Sequence, residues 1–219
     1  MPRLPFVPRF SFPPLDTAPA VTYPLGLDTT ITGRQLLGGT LILGGMAEAK
    51  PFLAQLACHA TSLVTISDEG SFLASDPVTA HAAERLTPPL DLDMTLTRLC
   101  RWRAEHSPAY APQGPPTLLG QWRVQPPVVY HPDAPPTLLL ISLAEPDLQT
   151  LARRQPALQA HNFATVLRLS PQQAKPIMPR FRNFIVCPQA HAWASRYIAL
   201  NLPPPPCLVR WSEEIRTIR

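Results

Sequence analysis

Residues 137–211 read TLLLISLAEPDLQTLARRQPALQAHNFATVLRLSPQQAKPIMPRFRNFIVCPQAHAWASRYIALNLPPPPCLVRW, and their order of apolar runs and breakers sets the expected fold. Thr137–Leu143 is an apolar run of strand length. Asp147–Arg154 is helical in composition, and Pro156 is expected to bend or restart the segment. Thr165–Leu169 reads as a second strand and Asn183–Cys187 as a third, joined by the basic loop SPQQAKPIMPRFR. Pro188 opens a helix over Gln189–Leu200, the prolines at 203–206 end it, and Cys207–Trp211 is a fourth strand.

The order β-α-β-β-α-β resembles the ferredoxin-like split βαβ motif, which also underlies RNA-recognition modules. The expectation is therefore an α+β protein. A ferredoxin-like basic unit over 135–219 packs on a proline-rich mixed α/β region over 1–134. Thirty prolines keep elements short and loops stiff. In the front region, residues 1–30 read as extended segments, with Phe6, Phe10 and Phe12 along one side. Gly38-Gly39 is expected to turn a hairpin between Arg34–Leu37 and Thr40–Leu43. The stretch lacks the G-x4-G-K-[ST] pattern of a phosphate loop, and no lysine follows the glycines. Residues 47–60 suit a short helix, 62–73 a hairpin turning at Asp68-Glu69-Gly70, and 78–86 another short helix. Asp91 or Asp93 caps a helix over Met94–Glu105 with Leu96, Leu99 and Cys100 on its buried stripe. A loop over 107–116 and a strand over Thr117–Val124 complete this region.

Charge is unevenly distributed. The net charge is +4, yet residues 1–97 hold only five basic side chains (Arg3, Arg9, Arg34, Lys50, Arg85) against nine acidic ones. No Asp or Glu occurs between Leu148 and Ser212, a window that carries Arg153, Arg154, Arg168, Lys175, Arg180, Arg182, Arg196 and Arg210. Guanidinium forks pair with phosphates, and Phe163, Phe181, Phe184, Trp193, Tyr197 and Trp211 interleave with them. The expectation is a nonenzymatic nucleic-acid-binding subunit, for RNA or single strands, within a larger nucleoprotein assembly. Its contacts are those eight cations together with Phe181. Arg180, Phe181 and Arg182 are the strongest candidates, on a loop stiffened by Pro176 and Pro179. The competing reading for Phe181 and Met178 is that they anchor this loop on the core. Two alternatives stand beside the RNA reading: a protein-binding structural or adaptor subunit, and a metal-independent endoribonuclease using His191 or His161 as general base.

No cofactor or metal is expected. The six histidines form no H-E-x-x-H pattern and the four cysteines no C-x2-C knuckle. Cys187, His191 and Cys207 have ligand-like spacing, and Asp91 and Asp93 form a D-x-D pair, but buried thiols and helix capping account for both. The cysteines suit reduced thiols, and no apolar stretch has the length of a membrane span, so a cytoplasmic location is expected.

Overall fold

The computed structural model describes residues 21–68, 79–106, 134–199, 201–210 and 214–218. Its centre is an eight-stranded, mostly parallel sheet with helices on both faces. A short antiparallel hairpin, β1 (Thr22–Pro24) and β2 (Thr30–Thr32), precedes it. The one-turn helix α1 (Gly33–Leu36) leads into β3 (Thr40–Leu43), helix α2 (Met46–Cys58) and β4 (Leu63–Ser67). Strand β5 (Glu84–Leu86), helix α3 (Leu92–His106), β6 (Thr137–Ser142), helix α4 (Leu148–Ala160) and β7 (Phe163–Leu169) follow. A short helix α5 (Pro171–Ala174), β8 (Asn183–Val186), helix α6 (His191–Tyr197), β9 (Cys207–Arg210) and β10 (Glu214–Thr217) complete the described chain.

The strand order is β10-β9-β8-β3-β7-β6-β4-β5. All neighbours from β8 to β5 run parallel, and β9 and β10 add an antiparallel edge. A strand buried on both faces must be apolar at successive positions. Strands β3, β4, β6 and β8 are buried at every residue. Alternate side chains feed two cores. Leu41, Leu43, Leu139, Ile141 and Phe184 pack beneath α3, α4 and α6. Ile42, Leu138, Leu140 and Ile185 pack beneath α2 and the β1–β2 hairpin. The result is a three-layer α/β/α arrangement.

Several expectations are corrected by this topology. The last four apolar runs do form strands, but β3 lies between β7 and β8. They therefore cannot close a ferredoxin-like βαββαβ sheet of their own, and strands from both sides of residue 134 share one sheet. Gly38-Gly39 turns no hairpin. Gly38 and Gly39 N–H groups donate to Gln35 and Leu36 carbonyls, ending α1. Strand β4 has parallel partners on both edges, β5 and β6, and the return strand expected after Asp68-Glu69-Gly70 lies outside the described residues. Residues 84–86 are a strand, because they pair with Val64–Ile66. Helix α4 runs through Pro156 without a break. The expected capping of α3 holds: the Met94 N–H donates to Asp91 Oδ1 at 2.9 Å, and Leu96 and Leu99 are fully buried. Phe6, Phe10, Phe12, the loop over 107–116 and the strand over 117–124 lie outside the described residues. No helix among the described residues is long and apolar enough to cross a membrane.

Candidate functional site

In an open parallel sheet, ligands bind beyond the carboxyl ends of the strands, where neighbouring connections leave to opposite faces. Here that point lies between β3 and β7. After β3 the chain enters α2, which packs on the hairpin side, whereas after β7 it enters α5 on the other side. Only Gly44 and Gly45 separate β3 from α2. The Gly44 N–H donates to the Leu169 carbonyl at 3.1 Å, and the Cys187 N–H donates to the Leu43 carbonyl at 3.0 Å. The three strand ends are thereby laced together.

The opening of α2 holds a carboxylate from its own first turn. Glu48 Oε2 accepts from the Gly45 N–H at 3.4 Å, and Glu48 Oε1 accepts from the Gln189 N–H at 3.1 Å. Unpaired N–H groups and the positive dipole end at this position attract an anion. Glu48 supplies that anion internally and ties α2 to the segment after β8. Packing closes the same place. A Cβ on Gly44 would stand 2.6 Å from Cys187 Cβ and 2.8 Å from Glu48 Oε2. Burial, then the nearby Glu48 and Cys207, pushes the Cys187 thiol up to about 12, so it stays neutral beside the carboxylate.

Among the described residues, the neighbouring strand ends gather no group of carboxylates able to hold a metal ion. Strand β6 ends in Ser142, whose Oγ accepts from Arg168 Nε at 3.4 Å, while Arg168 Nη2 reaches the Leu143 carbonyl at 3.5 Å. A cation thus stands beside the end of β6. Asp68, at the end of β4, accepts from the Ala144 N–H at 2.7 Å.

A second concave region lies at the opposite, amino ends of β3, β7 and β8. It is a cavity of about 510 Å³ lined by Arg34, Gln35, Gln159, Arg182, Asn183 and Arg210, with Thr32 and Gly38. Thr32 and Gln35 brace each other: the Thr32 N–H donates to Gln35 Oε1 at 2.8 Å, and the Gln35 N–H to Thr32 Oγ1 at 3.2 Å. Buried Asn183 donates through Nδ2 to the Gln35 and Gly39 carbonyls at 2.9 and 3.0 Å.

Neither a protein-family model nor a curated protein sequence matches the chain. Solved structures do. The cytoplasmic domain of the type VII secretion ATPase EccC from Thermomonospora curvata superposes with a TM-score of 0.54 at 13% identity. The match covers 94% of this chain and 27% of that one. The cytoplasmic domain of EssC superposes with a TM-score of 0.50 at 13% identity, covering 91% of this chain and 43% of that one. The shared property is the fold. This chain spans less than half of either.

The expected nucleic-acid-binding, ribonucleoprotein-type subunit with an RNA partner is corrected by these findings. The proteins that share the fold are secretion ATPase domains. The arginine window also forms no single surface. Asp93, from the front half, takes two of its members. Arg154 Nε and Nη2 grip Asp93 Oδ1 and Oδ2 at 2.6 and 2.7 Å, and Arg153 Nη2 reaches Oδ1 at 2.8 Å. Arg168 is at the carboxyl end of the sheet. Lys175 Nζ lies 5.0 Å from the centre of the Tyr197 ring, which packs on Trp193 with ring centres 4.9 Å apart. Arg180 and Arg196 are exposed. Phe181 is buried among the residues of one core together with Met178, which settles their role as loop anchors. Arg182 and Arg210 come together in the basic cavity, where Arg34 joins them from the acidic front half. Sequence order hid Arg34, Gln159 and Asn183 from the site, because the three come together only once β3 inserts beside β8.

The expected general bases, His191 and His161, stand at the start of α6 and at the end of α4. His191 Nε2 is 3.0 Å from the Pro203 carbonyl, so it donates there and holds the proline segment. Ser195 Oγ donates to the His191 carbonyl at 2.9 Å, a contact within the helix and not with the imidazole. His161 caps the end of α4, and burial lowers its pKa. No described group of His, Cys, Asp and Glu side chains could hold a metal ion.

The Asp93 cluster has a pH signature. The Arg154 guanidinium, followed by Arg153, holds the Asp93 carboxyl down to about 2. An unfolded aspartate titrates near 3.9. The stabilisation is therefore complete above about pH 4 and is lost as pH falls toward 2. Asp93→Asn is expected to lower the melting temperature at pH 6 and to flatten its decline between pH 4 and 2. Thermal unfolding followed by circular dichroism at stepped pH checks this. Because Asp147 is also held low by the Thr150 N–H, some acid sensitivity persists in the variant.

Proposed function

We propose that this chain is an ATPase-like domain that does not turn over nucleotide and serves as a protein-contacting unit of a larger assembly. The observation that carries this reading is the Glu48 carboxylate at the opening of α2, where a nucleotide phosphate would otherwise sit. Like charge repels a phosphate from that place, and Gly44, wedged against Cys187, leaves no depth for one. Two residues between β3 and α2 are too few for a phosphate-wrapping loop. Lys50 lies beyond the first turn of the helix, not at its start. Arg168 beside Ser142 opposes the binding of a magnesium ion at the end of β6.

A fold stripped of this chemistry retains its surfaces, and function on a shared fold belongs to the sites it carries. The fold neighbours supply the type of assembly, a secretion ATPase, as the context to test. The test is affinity capture of the chain with cross-linking mass spectrometry, run with and without Mg-ATP. The same protein partners are expected in both. A partner retained only with Mg-ATP, or phosphate released from ATP by the purified chain, contradicts the proposal.

A further inference from the structure

We infer that the basic cavity at the amino ends of β3, β7 and β8 is a binding site for a small polyanion bearing phosphoryl or carboxylate groups. This goes beyond the reading of Glu48 and lies at the other end of the sheet. Arg34 and Arg182 face the cavity from α1 and from the start of β8, and neither has an ion-pair partner among the described residues. Arg210 lines it from β9. No Asp or Glu is among the described residues that line it. Guanidinium groups converging on one concavity raise the local positive potential, and each can grip an oxyanion through paired N–H donors.

The walls are built before any ligand arrives. Gly38 makes room for the Arg182 stem, because a Cβ there would stand 3.0 Å from Arg182 Cβ and 3.1 Å from its Cδ. The Arg182 N–H is held by the Gly38 carbonyl at 3.0 Å, which fixes the root of the side chain. Asn183 and the Thr32–Gln35 brace fix the adjoining wall, and Gln159 adds an amide. A volume of about 510 Å³ falls within the range of about 300–1,000 Å³ usual for small-molecule sites. Every lining residue but Gly38 has a polar side chain, which suits a charged metabolite more than an apolar one.

The test is calorimetric titration of the full chain with pyrophosphate and, separately, with citrate at fixed ionic strength. Saturable binding of either supports the site, and the better probe identifies the ligand as a phosphoryl compound or a polycarboxylate. Arg34→Gln/Arg182→Gln should weaken that binding on the order of tenfold or more, since charge-assisted hydrogen bonds are lost. Arg196→Gln, on the exposed surface of α6, should leave it unchanged. Both substituted positions in the double variant are exposed, and an unchanged melting temperature confirms its fold. Absence of binding by both probes, or equal binding by wild type and the double variant, overturns the inference.

Discussion

Gly39→Val is expected to lower unfolding free energy by about 3–5 kcal/mol, among the largest effects any single surface-remote substitution would produce here. Two costs combine. Gly39 has φ +77°, a left-handed conformation that a β-branched residue adopts only under strain. Its added Cβ would also stand 2.7 Å from both Gln155 Nε2 and Phe181 Cδ1. Neither neighbour can retreat easily. Phe181 is buried, and Gln155 is buried on α4. The Gly39 carbonyl moreover accepts from the Asn183 side chain and from the Asn183 N–H, so a shift at Gly39 disturbs the β3–β8 junction. Urea unfolding of wild type and variant checks the magnitude. A loss below about 1 kcal/mol would mean that the turn before β3 is built differently.

Phe184→Ala is expected to cost about 3–5 kcal/mol. Phe184 is fully buried on β8, paired with Leu41 of β3 on one side and Val209 of β9 on the other. It belongs to the core beneath α3, α4 and α6, and the strands around it cannot collapse into the space left behind. The same denaturation experiment reads it. A near-neutral result would place Phe184 on a solvent-facing side of the sheet and contradict the strand order.

The sequence made the elements legible but not their order in the sheet. TLLLIS, FATVLRL, NFIV and CLVR announced strands because each is a short apolar run between breakers. The run TLIL carried a further message. TLIL is apolar at three successive positions, as suits a parallel strand covered on both faces, whereas LVTIS alternates after Leu63 although every one of its residues is buried. Treating Gly38-Gly39 and Asp68-Glu69-Gly70 as hairpin turns instead made those strands antiparallel, while the ferredoxin-like grouping came from the order of elements over 137–211 read without them. Insertion of β3 between β7 and β8 joins residues more than a hundred positions apart, which no local pattern encodes.

The site was legible to a similar extent. The lack of a phosphate-loop pattern after β3 was visible in the residues, but Glu48 read as an ordinary residue of a helix. Its closing role depends on the Gln189 N–H, brought near only by the β3–β8 pairing. The acid-free window suggested a positive face. Asp93, distant in sequence, neutralises Arg153 and Arg154, Arg168 stands at the carboxyl end of the sheet, and Arg182 and Arg210 line the cavity at its amino end.

Hydrogen–deuterium exchange of the chain with and without saturating Mg-ATP tests the closed crevice most directly, because it reports by position. Exchange at residues 44–50 is expected to be unchanged, since Glu48 already holds the opening of α2. Slowing confined to residues 34–38 and 182–183 would belong to the basic cavity and leave this expectation intact. Nucleotide-dependent protection across 44–50 would contradict it.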